Sequence, residues 1–514
     1  MKRLVASSTF LGVLCTAVGA CSGSGPNEGS SSGTTGDAST SNSGSSSSSN
    51  SSTTGDASSS TSGSSTSGDT GTASGTTGGA CPPDLIQCGP DCVDTQTDPA
   101  HCGACNNPCG DFELCQAGVC EPDTVVAEVV ASYAHTCIRT VTGRVRCWGR
   151  NANGQLGLGH NNDIGDDELP STALDVDLGG TPALQIASGE WHTCALLEGG
   201  DVRCWGENGS FQLGFGGPDI NAPDPNLNVQ NVSGAVAIAA GTRHNCALIA
   251  GGSVRCWGRN NYGQLGYGHT SDTVAMGDVD VGGTVTALAL GAFHTCALLD
   301  SGDVRCWGSG PLGHANNAFS TVGNDEVPAD GPIVALGAPA AAIASGSEHA
   351  CALLQDEVRV RCWGISYEGQ LGYGNTDTIG DNETPEDVGD VMLSPNAGST
   401  KIVQLESGPG GHTCVVFEDG AMQCWGQNYY GELGYGMFGH VGDDETPADV
   451  GLLMAPFPEI VSVGRNHTCL LDTAGDLRCW GWGAFGMLGY GNTMDYGGSP
   501  GEAPDAQAII DIFP

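Results

Sequence analysis

The sequence predicts an all-β fold of seven repeated units, preceded by a disordered tether and a small disulfide-rich module. A His-x-Cys followed by Cys-Trp-Gly recurs seven times, at intervals of 50–63 residues. The chain has 83 glycines, which are costly inside helices. Within each unit, short apolar runs are separated by glycine-containing turns, as in antiparallel hairpins. A repeat of this length is typical of a propeller or a solenoid.

The charge of the chain narrows the classes of partner. It has 514 residues, with 58 acidic against 16 basic and a formal net charge of −42. This balance excludes ordinary nucleic-acid binding, which needs a basic footprint, and disfavours docking on an anionic membrane through a basic face. The sequence contains no apolar run of the roughly 18 or more residues that predict a membrane-spanning helix.

Residues 1–20 are predicted to be a signal peptide, because Lys2 and Arg3 precede an apolar stretch and then small residues. The segment resembles a bacterial lipoprotein signal. That resemblance implies that Cys21 carries acyl chains such as palmitate, and that the chain is exported and anchored at the outer membrane or cell surface. The alternative is plain secretion with cleavage after Ala20. Loss of Cys15 with the signal and lipidation of Cys21 would leave an even number of cysteines, which favours the anchor.

Two short regions follow the lipid position. Residues 21–80 are almost entirely Ser, Gly, Thr, Ala, Asn and Asp, and are predicted to form a flexible tether. Residues 81–122 hold eight cysteines, and such a short segment needs covalent links in place of a large core. Four disulfides are the favoured interpretation in an exported protein, and a metal site at Cys102 and Cys105 is the alternative. The sequence does not choose among the possible pairings.

Residues 123–514 contain the seven units. Six of the seven cysteine pairs are ten residues apart, and the residue just past the midpoint is glycine in all six. Opposed cysteines with glycine in the left-handed region of a three-residue loop satisfy this spacing. We therefore expect seven cross-strand disulfides, with free buried cysteines as the alternative. The fifth unit has an eleven-residue separation and no glycine, which predicts a different turn. The pairs are Cys137 with Cys147, Cys194 with Cys204, Cys246 with Cys256, Cys296 with Cys306, Cys351 with Cys362, Cys414 with Cys424, and Cys469 with Cys479.

The repeat carries a family resemblance. His-Thr-Cys-Ala-Leu, Trp-Gly and Gly-Gln-Leu-Gly-Tyr-Gly resemble the repeat of the regulator of chromosome condensation family. Over residues 126–514 this resemblance implies a seven-bladed β-propeller, here in a bacterial, exported, lipoprotein-type member. Residues 508–512 repeat the first-strand pattern of a unit, so we expect the two chain ends to meet in one blade and close the ring. The chromatin and nuclear GTPase roles of well-known relatives are not expected, because the basic surface for chromatin contact is absent.

Two sets of recurring residues are candidates for chemistry. Each unit has one histidine before its first cysteine, which is either a base or metal ligand or, as we favour, a buried hydrogen-bonded side chain. Four units have an acidic loop before a proline. Such carboxylates are weak candidates for calcium ligands, with a solvated rim as the favoured alternative. The strongest acidic candidates are Asp166, Asp167, Glu168, Asp443, Asp444 and Glu445.

The sequence shows no nucleophile elbow, phosphate loop or metalloprotease motif, so we predict no catalytic residues, no cofactor and no enzymatic activity. The leading hypothesis is a cell-surface lipoprotein whose propeller recognises a protein or a glycan. Its contact is expected to be neutral or cationic, because the acidic chain repels acidic partners. The alternatives are a structural envelope or cell-contact protein without a single ligand, and an enzyme on a propeller face.

Overall fold

The computed structural model describes residues 81–82, 85–88, 91–110, 112–315, 321–394 and 400–514. The signal peptide over 1–20, the lipidated Cys21 and the tether over 21–80 are predictions that lie outside these residues. In the described part of the chain, no helix has the length and apolar character that crossing a membrane requires.

Described residues 81–93 belong to one compact unit and residues 94–514 to another. In the first unit, β1 (Ile86–Cys88) pairs with β2 (Asp91–Val93) in an antiparallel hairpin, and a disulfide joins Cys81 to Cys92.

The second unit begins with a cysteine-rich segment. Here β3 (Glu113–Gln116) pairs antiparallel with β4 (Val119–Pro122). Disulfides join Cys102 to Cys115 and Cys109 to Cys120. Cys105 is also disulfide-bonded. Disulfide bonding accounts for both cysteines of the Cys102-Gly-Ala-Cys105 spacing, which removes them as thiolate ligands for a metal.

From Val126 onward, the described residues form seven antiparallel sheets of three or four strands. The first strands are β5 (Val126–Ala131), β8 (Ala183–Ser188), β11 (Ala235–Ala240), β14 (Val285–Leu290), β18 (Ala340–Ser345), β21 (Ile402–Ser407) and β24 (Pro458–Val463). The second strands are β6 (His135–Thr140), β9 (His192–Leu197), β12 (His244–Ile249), β15 (His294–Leu299), β19 (His349–Leu354), β22 (His412–Phe417) and β25 (His467–Asp472). The third strands are β7 (Val145–Gly149), β10 (Val202–Gly206), β13 (Ser253–Gly258), β16 (Val304–Ser309), β20 (Val360–Gly364), β23 (Met422–Gly426) and β26 (Leu477–Gly481).

Outer segments complete these sheets. β17 (Thr321–Val322) is a fourth strand of the fourth sheet, and isolated bridges such as Gly149 to Ile164 take its place elsewhere. Two short helices, α1 (Pro385–Val388) and α2 (Pro447–Val450), follow acidic loops. Each begins after a threonine whose backbone N–H donates to an aspartate three residues on. Single 3₁₀ turns occur at Pro170–Thr172, Pro328–Asp330, Ala484–Gly486 and Pro504–Ala506.

Each second strand lies between the first and third strands of its sheet, and the core follows from that position. All six residues of β9 are buried, because both faces of this central strand are covered. The repeat tryptophan of each third strand has at most 1% of its surface exposed. The sequence pattern suggests that Leu184 and Ile186 share a face, but a register shift after Ala183 leaves Leu184 half exposed and Ile186 buried.

The hairpin turns adopt the predicted conformation. The six glycines past the midpoints have φ between +85° and +89°, which confirms that they occupy the left-handed region. In the fifth unit, Glu357 takes φ of +60°, and the loop closes from Leu354 to Arg359 with one additional residue. This confirms the prediction of a different turn.

The sheets of the second unit close into a ring, because each first strand contacts the next and β24 contacts β5. The C-terminal residues do not form the first strand that the sequence pattern predicted. Residues 508–514 form no strand of the first sheet. Instead, Ile510 N–H donates to Leu477 O at 2.9 Å, as Val176 N–H donates to Val145 O in the first sheet. Ile512 O then accepts from Arg146 of the first sheet, as Leu178 O accepts from Arg203 of the second. The tail is thus the ordinary outer segment of the seventh sheet, because its register follows β26.

Candidate functional site

One end of the strands gathers the loops that vary most between units. The residue before each repeat histidine accepts, through its carbonyl, the N–H of the residue that follows Trp-Gly. Arg150 donates in this way to Ala134 at 2.9 Å, and Trp482 donates to Asn466 at 2.7 Å; the equivalent bond occurs in all seven sheets. These two loops of every sheet therefore lie side by side at one end of the ring, which we call the upper face.

A continuous series of stacked side chains crosses part of the upper face. The guanidinium carbon of Arg465 lies 3.9 Å from the ring centre of Tyr133, whose ring is 5.0 Å from that of Trp191 in an edge-to-face arrangement. Arg150 lies 4.5 Å from the Trp191 ring and 4.7 Å from the Phe485 ring. Arginine over an aromatic face is attracted by the ring quadrupole, which orders both groups.

The series continues into the seventh and sixth units. Phe485 contacts Trp482 at 5.8 Å between ring centres, and Trp482 lies 5.5 Å from Tyr430. The rings of these residues are partly buried, so their packing fixes their orientation. We call the seven residues the arginine–aromatic row: Arg465, Tyr133, Trp191, Arg150, Phe485, Trp482 and Tyr430.

The two arginines of the row carry uncompensated charge. Within the described residues, no carboxylate forms an ion pair with Arg150 or Arg465, although Arg243 on the same face pairs with Glu190 at 2.8 Å. Burial lowers the pKa of Arg465, because half-burial without an anion disfavours the charged form. The guanidinium forks are strong hydrogen-bond donors with no hydrogen-bond acceptor among the described side chains. In a chain of net charge −42, this makes the row a local cationic and aromatic patch.

The repeat pattern of the sequence did not predict the row. A signal for it was present, because the chain has nine tryptophans and only seven occupy the repeat position. The two others, Trp191 and Trp482, both belong to the row. The positions that vary from unit to unit therefore pointed to the row, whereas the repeated residues did not.

The seven repeat histidines are buried, and six of them hydrogen-bond to a side chain of the neighbouring sheet. Nε2 of His135 lies 2.9 Å from Oγ1 of Thr193, and that hydroxyl donates its only proton to Gln155 O. The histidine must therefore donate from Nε2. Burial lowers the pKa of His192 and His294 to about 4 and that of the other five to about 3, so all are neutral at pH 7. This arrangement favours a role in holding the sheets together over a role as bases.

The acidic loops bring carboxylates together at two places. Oxygen atoms of Asp166, Asp167 and Glu168 lie within 4.8 Å of one another, and so do those of Asp443, Asp444 and Glu445. Partial burial, followed by the neighbouring carboxylates, raises the pKa of Glu168 and of Glu445 to about 7. Carboxylates are oxygen ligands of the kind calcium prefers, so calcium binding at these loops stays a prediction.

The cysteines of the repeat units all lie between second and third strands. Each of the seven sheets has one disulfide there, with Cα atoms 4.0–4.1 Å apart. In every case the two cysteines are direct partners in the strand register. They link the hairpins that carry the upper-face loops.

Similarity to known proteins identifies the family of this chain. A sequence profile described as the RCC1-like domain matches residues 61–409. The chain belongs to the RCC1-like domain family. A second profile, the regulator of chromosome condensation (RCC1) repeat, matches residues 402–432 and 460–486 of this RCC1-like protein. The prediction of an RCC1-type repeat is thereby confirmed.

The RCC1-like chain is 29% identical to the ultraviolet-B receptor UVR8 of Arabidopsis thaliana over 400 residues, which is 77% of this chain and 74% of UVR8. Matches to several other curated relatives cover only 14–26% of their length. Human WBSCR16 has a TM-score of 0.56 at 20% identity, covering 68% of this chain and 86% of that one. Prp20p of Saccharomyces cerevisiae has a TM-score of 0.54 at 21% identity, covering 74% and 86%. These structures support the all-β, RCC1-type fold.

Proposed function

We propose that this chain is a surface-anchored recognition protein and not an enzyme. Lipid on Cys21 holds it at the cell envelope, residues 21–80 form the tether and residues 81–122 a disulfide-rich module. Residues 123–514 form a seven-bladed β-propeller, stapled by one disulfide per blade, that binds a protein through its upper face. The observation that carries this proposal is the arginine–aromatic row.

The composition of the row favours protein recognition. Tryptophan, tyrosine and arginine are the residue types at which binding free energy concentrates in protein interfaces. Because each ring or guanidinium of the row already packs on a neighbour, a partner meets side chains that lose little further freedom on binding. The structure of Prp20p, described with its binding properties to Gsp1p and histones, offers a precedent for a similar fold that recognises proteins.

The net charge of the chain and the two arginines of the row both restrict the kind of partner, the first at long range and the second at the contact. At long range a chain of net charge −42 attracts neutral or cationic molecules and repels acidic ones. At the contact itself, Arg150 and Arg465 need acceptors, which main-chain carbonyls or single carboxylates of a protein supply. A glycan fits the row less well, because Arg150 covers the face of Trp191 on which a sugar ring would stack.

The experiment is a capture assay. The oxidised, lipid-free chain is immobilised and exposed to envelope and neighbouring-cell extracts at two salt concentrations, beside a Trp191→Ala/Arg465→Ala variant. The matched control is Tyr262→Ala/Arg359→Ala, which removes an aromatic ring and an arginine outside the row. We expect one dominant protein, bound at least about 30-fold more weakly by the row variant, since a hot-spot residue contributes about 2 kcal/mol or more.

Equal capture by the row variant and the native chain would place recognition elsewhere on the molecule. Enrichment of no protein above the background of a scrambled-loop chain would reject recognition. That result would favour a structural envelope role or an enzymatic role over recognition.

A further inference from the structure

The boundary between the fourth sheet and the fifth sheet, β18 to β20, departs from the other six boundaries of the ring. At those six, histidine Nε2 lies 2.9–3.0 Å from a Thr or Asn oxygen of the next sheet. At this boundary Ala350 occupies the threonine position. Nε2 of His294 has no hydrogen-bond partner there, although the residue is only 6% exposed.

A second donor at the same boundary also lacks an acceptor. In six sheets the repeat tryptophan donates from Nε1 to a carbonyl of the preceding unit at 2.8–3.1 Å, as Trp205 does to Gln155 O. The indole of Trp363 makes no such bond to a described residue. Its preceding unit is altered. Gly313 lies six positions after Trp307, whereas the equivalent glycine lies nine positions after the tryptophan in the other units, and Pro311 occupies the position equivalent to Gln155.

The shortened loop and the small Ala350 side chain leave a cavity of about 90 Å³. One enclosed water needs only about 10–15 Å³, so the cavity accommodates a group larger than a single water. By repeat position, Phe293 and Ile365 belong to the upper face, so the cavity lies beneath that face. Its lining includes Phe293, His294, Leu312, Ala350, Trp363 and Ile365.

The polar groups of the cavity define what fits. Besides His294, Trp363 and Glu348, the lining includes His349, which already contacts Thr413, and two serines, whose hydroxyls can donate or accept: Ser309 and Ser347. Burial lowers the pKa of His294 to about 4, so its ring is neutral, and we assign to it the Nε2–H tautomer of the equivalent histidines. Glu348 also lines the cavity, and burial together with Glu368 raises the pKa of its carboxyl. No ion pair of Glu348 occurs in the described residues. Two N–H donors beside a carboxylate without a cation favour a neutral acceptor and disfavour an anion.

We propose that this boundary cavity binds a carboxamide. Its carbonyl oxygen accepts from the N–H groups of His294 and Trp363, and its NH₂ group donates to the Glu348 carboxylate. The carboxamide belongs either to an asparagine or glutamine side chain of a bound protein or to a small free amide. The inference goes beyond the proposed function, since it involves none of the row residues.

The test uses the full, oxidised protein labelled with 5-fluorotryptophan, observed by ¹⁹F NMR. Replacement of Ala350 by Thr restores the side chain of the other boundaries and assigns the resonance nearest the cavity. Ala350→Val fills the same space without a hydroxyl. Acetamide, acetate and N-acetylasparagine amide are the probes.

We expect acetamide to shift the assigned resonance saturably in the native chain and not in either variant, with acetate binding at least about 10-fold more weakly. Tighter binding of N-acetylasparagine amide than of acetamide would identify a protein side chain as the source, and the reverse would identify a free amide. A linear, non-saturating drift, an equal response in Ala350→Thr, or acetate binding as tightly as acetamide would overturn the proposal and leave a cavity filled by water. Row variants leave this resonance unchanged, so the two proposals fail separately.

Discussion

Nε2 of His135 lies 2.9 Å from Oγ1 of Thr193, across the boundary between the first sheet and the second. Both side chains are fully buried. The same contact closes the ring, where Nε2 of His467 lies 2.9 Å from Oγ1 of Thr136. A recurrent buried hydrogen bond between sheets therefore fixes how neighbouring units align.

Breaking one of these links is expected to destabilise the protein. Thr193→Val keeps the shape of the side chain but leaves the His135 N–H buried without an acceptor, which costs about 1–3 kcal/mol.

Ala350→Thr supplies the missing partner of His294 and is expected to stabilise the folded chain by about 0.5–1.5 kcal/mol. Guanidinium unfolding midpoints under oxidising conditions measure both. Equal midpoints for native protein and Thr193→Val would show that the links do not contribute.

Acid is expected to destabilise the ring through its histidines. Their pKa values of about 3–4 in the folded chain lie below the ordinary 6.5, so the unfolded chain binds more protons between these values. Stability is thus full above about pH 6.5 and falls as the pH drops, by about 1.4 kcal/mol per pH unit for each histidine. The raised pKa values of Glu168 and Glu445 act in the opposite direction, because protonation of these partly buried carboxyls favours the folded chain as the pH falls.

Unfolding midpoints at pH 7.5 and pH 5 test the histidine contribution. His192→Gln retains a donor toward Asn245 and removes one titrating group, so its midpoint should depend less steeply on pH than that of the native chain. An identical pH dependence would assign the acid sensitivity to other groups.

Two turn glycines with the same conformation should differ in their tolerance of alanine. Gly143 and Gly475 have φ of +89° and +88°. A Cβ on Gly143 would lie 2.7 Å from Ala183 N, whereas nothing lies within 4 Å of one on Gly475. Gly475→Ala should cost about 1–2 kcal/mol for the left-handed backbone alone, and Gly143→Ala about 1–3 kcal/mol more for the overlap. Thermal unfolding of the two variants gives the comparison, and equal losses would contradict it.

Removal of residues 508–514 is expected to weaken the boundary between the seventh sheet and the first. Ile510 and Ile512 are buried, and Ile512 O accepts from the buried guanidinium of Arg146. Burial of two isoleucines contributes about 3–6 kcal/mol, so the truncated chain should unfold at a markedly lower temperature. Deletion of the exposed Pro514 alone is the control and should have no effect. Retention of native stability by the truncated chain would show that the tail does not stabilise this boundary.

Lipidation is tested separately from folding. Cys21→Ser should move the protein from the membrane fraction to the soluble fraction while the propeller disulfides stay formed, because the acyl chains alone supply the anchor. Ser22→Ala is the neighbouring control and should stay with the membrane. Membrane retention of Cys21→Ser would remove the anchor from the proposal.

Much of the fold was accessible from local patterns. The spacing of Cys194 and Cys204 required opposed strands, and Gly200 at the turn required a left-handed residue; both are properties of about ten consecutive residues. The exposure of Leu184 was not accessible, because a register shift against the neighbouring strand decides it. The role of residues 508–512 was likewise misread, since a first strand and an outer segment have similar apolar patterns.

The sequence by itself determined the seven units, their hairpins, the register within each hairpin and the handedness of the turns, because period and spacing act over short distances. Only the tertiary structure decided which residues meet between units. Ala131 N–H donates to Ser462 Oγ at 2.9 Å across 331 positions, and the same closure stacks Arg465 on Tyr133. The arginine–aromatic row and the unpaired N–H of His294 exist because the closed ring sets one unit against the next, and contacts of that kind leave no local periodicity in the sequence.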